Sequence, residues 1–169
     1  EAVEAVISVR GFLFTVKRRP ILDRIRVRAS TREPKFVFYD YPRSGRNSEF
    51  IGNEEVRITT GDNQVLVSRR QPRSAFRRFR RQLYWDALDF SYFGGYTTWN
   101  YLTTPFLFRK KNIRFEELEP LPSDSEYLPR LRVSFPEDFP THCQKQIFYF
   151  DRNYLLRRLD YTAEVISRF

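Results

Sequence analysis

Two aspartates three residues apart, Asp86 and Asp89, come nearest in this chain to a catalytic pair. That spacing places two side chains on one helix face, and paired carboxylates can divide the work of general acid and general base. It also suits a helix N-terminus, where carboxylates meet the positive end of the dipole. His142 and Cys143 are neighbours, so on a strand they point to opposite faces and cannot form a contacting nucleophile–base pair. One histidine and one cysteine also exclude a histidine-based zinc site, a histidine relay and an intramolecular disulfide. No metal and no cofactor is expected.

A second chemistry comes from arginine, which supplies 25 of the 30 basic residues behind a net charge of +9. Guanidinium groups fork onto phosphate and carboxylate and stack on aromatic faces. Arg24, Arg26 and Arg28 alternate along one strand and form a stripe suited to an anionic surface or a protein partner. Against this, 21 acidic residues are interleaved, and the densest basic run, Arg77, Arg78, Arg80 and Arg81, is short. A solvated basic face accounts for that pattern equally well. Nucleic-acid binding ranks last, because no RNP-type aromatic pattern and no GXXG loop is present.

A third possibility lies in the aromatic excess, 17 Phe and 10 Tyr in 169 residues. Trp85, Tyr92, Tyr96, Trp99, Tyr101 and Phe106 cluster in one segment, with Asn100 and His142 as polar anchors. An aromatic-lined cavity with few polar groups is the usual small-molecule site. The same residues serve equally as a core beneath a helix, with Asp86, Asp89, Asn100, Thr103 and Thr104 satisfying the tryptophan N–H and tyrosine O–H groups.

The elements that must position these residues follow from periodicity. Val3, Ala5, Ile7, Val9, Gly11 and Leu13 alternate with polar residues, predicting a long first strand whose end is covered on both faces by Phe12, Phe14 and Val16. Ile25, Val27 and Ala29 oppose the arginine stripe in a second strand, and 35–41 forms a third. Residues 54–60 and 64–69 make a hairpin around Gly61-Asp62-Asn63. Short turns between successive strands imply an antiparallel meander. Phe76, Phe79 and Leu83 predict a short amphipathic helix, and Leu88, Tyr92, Tyr96 and Trp99 a second that Pro105 ends. Gly94-Gly95 marks a kink or a close backbone approach. Strands resume at 113–118, 130–135, 146–150 and 155–165, with an exposed loop at 120–126 and a turn at Asp151-Arg152-Asn153.

The segment Trp85-Asp86-Ala87-Leu88-Asp89, Tyr92-Phe93-Gly94-Gly95-Tyr96, Trp99-Asn100-Tyr101-Leu102-Thr103-Thr104-Pro105-Phe106 resembles the signature of an uncharacterised bacterial family. The resemblance continues through Arg130–Pro136, Thr141-His142, Gln146–Asp151, Leu155–Tyr161 and Ala163–Val165, and it carries no known reaction. The strand order is also similar to the lipoprotein-carrier superfamily, which implies an incomplete antiparallel barrel around a hydrophobic cavity with helices at its mouth. The expected fold is therefore mainly β: about nine strands in one curved sheet or half barrel, with one or two helices between about Ser74 and Phe108. It forms a single domain over 1–169, with strands to 71, a helical lid at 72–108 and strands from 109. The expected function is noncatalytic binding of a hydrophobic or lipid-like ligand at Trp85, Tyr92, Tyr96, Trp99, Asn100, Tyr101, Phe106 and His142. An enzyme using Asp86 and Asp89 or His142 is the alternative. Without methionine or a signal-peptide pattern the chain reads as a processed or truncated piece, with a cytoplasmic setting preferred and the bacterial envelope as alternative.

Overall fold

The computed structural model describes residues 1–19, 21–122 and 127–166. Among these, ten strands form two antiparallel sheets accompanied by four helices, so the mainly β class holds. Where one sheet was expected there are two, and the chain divides into two compact units, Glu1–Arg109 and Lys110–Phe169. Each unit carries its own sheet, and neither sheet closes into a barrel. No helix among the described residues is long and apolar enough to cross a membrane.

In the first unit, β1 (Ala2–Val9), β2 (Leu22–Ser30), β3 (Lys35–Phe38), β4 (Arg46–Ile51), β5 (Glu55–Thr60) and β6 (Val65–Arg70) lie side by side in chain order. Period two explains β2: Val27 and Ala29 are buried, while Arg24, Arg26 and Arg28 are exposed. The β5–β6 hairpin turns where expected, with Asn63 in the left-handed region at φ 67°.

One expectation fails here for a local reason, and one strand was not foreseen. The first strand stops at Val9; Gly11 takes φ 148° and turns the chain into a short helix, α1 (Phe12–Val16). Phe12 is consequently 84% exposed, while Phe14 packs on Trp85, Phe90 and Phe93. The strand β4 had no apolar alternation to announce it. Its Glu49 is buried because Arg57, directly opposite on β5, donates to it from Nε at 3.0 Å and Nη2 at 2.7 Å.

The expected amphipathic helix is instead two short pieces, α2 (Pro72–Ala75) and α3 (Phe79–Leu83). Phe76 is buried against Trp85 and Tyr92, but Phe79 and Leu83 are exposed. After them α4 (Ala87–Leu107) runs 21 residues, two positions beyond Pro105. A proline there forfeits only the hydrogen bond to residue 101, within the last two turns, so the helix continues.

Residues 88–97 of α4 are buried without interruption, so this helix is covered all round and not only on one stripe. It packs on β2, β3, β4 and β5, and the phenylalanines following α2 and within α1 lie against its other side. A helix so enclosed must satisfy its own polar side chains. Ser91, Thr97, Thr103 and Thr104 each donate to the carbonyl four residues back, at 2.6–2.7 Å, and Asn100 Nδ2 donates likewise to Tyr96.

The glycine pair marks a close approach. A methyl group at Gly95 would stand 2.5 Å from Phe50 Cβ on β4, and one at Gly94 would stand 3.2 Å from Phe38 Cζ on β3. Gly95→Ala is therefore expected to destabilise the unit by about 1–2 kcal/mol, overpacking outweighing the gain in helix propensity. Gly94→Ala should change stability by less than half as much, since only a ring edge must give. Urea unfolding of both variants checks this, and a Gly95→Ala protein as stable as the parent would contradict the packing described.

In the second unit, β7 (Arg114–Pro122), β8 (Tyr127–Ser134), β9 (Lys145–Phe150) and β10 (Leu156–Asp160) form a second meander. The loop expected at 120–126 is strand up to Pro122, and 123–126 lie outside the described residues. The turn after β9 is as expected: Asp151 Oδ1 accepts from the Asn153 and Leu155 amides at 2.8 and 2.9 Å. The last strand is shorter than 155–165, ending at Asp160.

Candidate functional site

The aspartate pair sits at the start of α4, and its surroundings decide what it can do. Asp86 is the N-cap: its side chain accepts from the Asp89 amide, and Asp89 accepts from the Asp86 amide, both at 2.9 Å. Two arginines from other elements close over the pair. Arg69, at the end of β6, donates to Asp86 Oδ2 at 2.6 Å and Asp89 Oδ1 at 2.5 Å. Arg81, from α3, reaches Asp86 Oδ2 and Asp89 Oδ2, each at 2.9 Å. All four carboxylate oxygens are thus engaged, and the group joins β6, α3 and α4.

Burial separates the two acids. Asp89 is fully buried, and this pushes it up to about 6, with the Asp86 charge adding to the push against the Asp86 amide and the guanidinium groups. Burial also pulls Asp86 upward, but the hydrogen bonds from Arg69 and the Asp89 amide, with both guanidinium charges, hold it at about 2. General acid–base work requires an oxygen facing a substrate. Here each one faces an arginine or a backbone amide, which is the arrangement of a lock between elements.

The aromatic set divides in two. Trp85, Tyr92, Tyr96 and Trp99 are fully buried, and the first three pack ring against ring with one another and with Phe50, Phe76 and Phe93, at centroid separations of 4.9–6.0 Å. Tyr101 and Phe106 are exposed. The polar ends of three of these rings bond groups other than those expected. Trp85 Nε1 donates to the Arg81 carbonyl at 2.9 Å, Trp99 Nε1 to the Ser30 carbonyl at 2.7 Å, and the Tyr92 hydroxyl to Asn53 at 2.7 Å. Asn100, Thr103 and Thr104 bond the carbonyls of α4 itself.

The arginine stripe lies on the sheet face opposite α4, since Val27 and Ala29 point inward between Arg26 and Arg28. Arg28 stands 3.8 Å from Glu4 on β1, and Arg26 lies over the Tyr39 ring at 4.4 Å. Arg24 occupies a positive-φ position, with Ser8 Oγ accepting from its amide. A cleft of about 400 Å³ on this face includes Arg28 and Lys35 but also Glu1 and Glu33. Mixed charge, not a continuous cationic field, characterises the face.

In the second unit His142 and Cys143 lie in the loop before β9 and not on a strand; both are buried. His142 stacks on Tyr161, with centroids 4.1 Å apart and planes at 15°, and its carbonyl accepts from the Glu164 amide. Cys143 Sγ donates to the Lys145 carbonyl at 2.9 Å and accepts from the Thr162 amide at 3.4 Å. Gln146 Nε2 adds bonds to Thr141 Oγ1 and the Cys143 carbonyl. The loop therefore anchors the segment after β10. Among the described residues no cluster of His, Cys, Asp or Glu has metal-binding geometry.

Two clefts open on the second unit. One, of about 510 Å³, is walled by Pro120, Pro129, Leu131, Phe150 and Tyr154, with Arg130, Glu117 and Glu119 as its charges. The other, of about 730 Å³, is lined by residues from the start of β7, the end of β8 and the start of β9. Neither was foreseen: their residues come from separate strands that only pairing brings together. The one signal available was the apolar cluster Tyr154-Leu155-Leu156, which the structure leaves exposed. No family model matches this chain, and no curated protein or solved structure matches it. What stands is a mainly β protein of two antiparallel-sheet units.

Proposed function

We propose that the chain is a noncatalytic binding module for a hydrophobic or amphipathic small molecule, held by the second unit's sheet. The observation that carries this reading is the cleft of about 510 Å³ walled by Pro120, Pro129, Leu131, Phe150 and Tyr154. Its volume falls in the range of small-molecule sites, and its wall is apolar with a few charged groups, as such sites require. Tyr154 stands at the turn 85% exposed, and Leu155 and Leu156 continue the apolar surface beside it. Large side chains left in water in a contiguous group suit a surface that a ligand covers. Arg130, whose Nε bonds the Glu119 carbonyl at 2.5 Å, supplies a cation for an acidic head group. The engaged aspartates and the packed aromatics of α4 are the framework in this reading.

Native mass spectrometry of the purified protein, with organic extraction of anything bound, tests it, followed by titration with dodecanoate. Tyr154→Glu places an acid in the apolar wall at an exposed position, so the fold is spared. It is expected to weaken dodecanoate binding at least tenfold. A clean mass, with no dodecanoate uptake by the parent protein, would overturn the reading.

A further inference from the structure

The charges on the polar face of the second sheet are answered almost everywhere by a partner within it. Arg132 on β8 meets Glu116 on β7 at 2.7 Å. Arg158 on β10 meets Asp160 at 2.7 Å and lies over the Tyr149 ring. Arg130 bonds a backbone carbonyl. One row breaks this pattern. Arg114, Ser134 and Lys145 stand directly opposite one another on β7, β8 and β9. Residues paired in this way share a sheet face, so two cations flank one hydroxyl, each about 5 Å from it at the backbone. Neither Arg114 nor Lys145 has an ion-pair partner among the described residues, and both are exposed.

We propose that this row is a phosphate-binding site. An arginine fork and a lysine ammonium on either side of a serine hydroxyl supply converging donors to several oxygens of one tetrahedral anion. A planar carboxylate would use fewer of them. All three residues line the cleft of about 730 Å³, which also takes in Phe135 and Pro136. Phe135 is held in place by stacking on Phe139 at 4.9 Å. The cleft leaves room beside the row for an organic body attached to the phosphate, along Pro136. Of the two carboxylates in the lining, Glu116 is occupied by Arg132. Glu137 is the other and opposes a phosphate, so removing its charge should tighten binding. The row lies four residues along the strands, roughly 13 Å, from the Leu118–Arg130 row beside the apolar cleft, so the two sites stand or fall separately.

Calorimetric titration of the intact protein at low salt with inorganic phosphate, then glycerol 3-phosphate, tests the site, with phosphatidylglycerol vesicles as a second arm. Arg114→Gln/Lys145→Gln is expected to weaken binding at least tenfold, and Glu137→Gln to tighten it two- to threefold. Arg24→Gln/Arg26→Gln, which removes the same charge from the first unit, should change it less than twofold. Binding of the soluble phosphates supports a free metabolite as ligand; binding of the vesicles alone, lost in the same double variant, supports a lipid head group. Equal losses in the two double variants would reduce the effect to net charge and overturn the proposal. So would the absence of binding in both arms, whatever dodecanoate does at the apolar cleft.

Discussion

Asp89→Ala is expected to destabilise the first unit by about 3 kcal/mol at neutral pH, the low end of the cost of breaking a buried ion pair, because Asp86 still engages both arginines. Asp89 is fully buried and accepts from Arg69, Arg81 and the Asp86 amide. Its removal leaves two guanidinium groups on one carboxylate and opens the capping box. Trp85 and Trp99, the chain's two tryptophans, both lie in this unit, so their fluorescence in urea reports its unfolding directly. A change below 1 kcal/mol would show that the arginines close over the pair without holding the elements together. The effect also has a pH signature. Asp89 binds its proton more tightly folded, about 6 against an ordinary 3.8, so the extra stability that protonation lends is full below pH 3.8 and lost as pH rises through 6, leaving at neutral pH the ion-pair and capping contacts that Asp89→Ala removes. Asp86, held near 2, acts in reverse: its contribution is present above 3.8 and lost as pH falls toward 2. The stability of the parent relative to Asp89→Asn is accordingly expected to fall between pH 4 and pH 7. A rise over that interval would mean that the arginines hold Asp89 down instead.

Trp99→Ala is expected to cost about 3–5 kcal/mol, the range for deleting a large buried aromatic side chain. Trp99 has no exposed surface, and its indole N–H bonds the Ser30 carbonyl at the end of β2. Trp99→Phe should recover roughly half of the loss, since it refills most of the volume but leaves that carbonyl without its indole donor. Fluorescence of the remaining Trp85 follows both variants. A Trp99→Ala protein within 1 kcal/mol of the parent would mean that the indole borders open space, and the aromatic segment would regain its claim to line a cavity.

Much of the architecture was legible because it rests on local rules. β2 declares itself through Val27 and Ala29 alternating with arginines, the β5–β6 turn through Asn63, and α4 through Leu88, Tyr92, Tyr96 and Trp99 at helical intervals. Most of the errors arise where the deciding interaction is distant in sequence, the end of β1 being the exception. Glu49 and Ser48 look like loop residues until β5 supplies Arg57. Phe12, Phe14 and Val16 extend the period of β1, and the positive φ at Gly11 alone ends it. The Asp86–Asp89 spacing marked a real cluster but not its partners, because Arg69 lies seventeen residues before Asp86, on another element. Composition could not separate an aromatic lining from an aromatic core, since both need the same residues. The distinction lies in whether the rings face space or one another, and Trp85, Tyr92 and Tyr96 face their neighbours.

The back-bonded hydroxyls of α4 bear on how this helix can drift over evolutionary time. Ser91, Thr97, Thr103 and Thr104 donate to carbonyls that the helix already pairs with its own amides, so alanine at any of them orphans no acceptor. Gly95, pressed on Phe50, has no such freedom. Lineages descending from a common ancestor should therefore exchange serine, threonine and alanine along this helix while holding the glycine fixed, the reverse of the usual assumption that buried polar residues are the guarded ones.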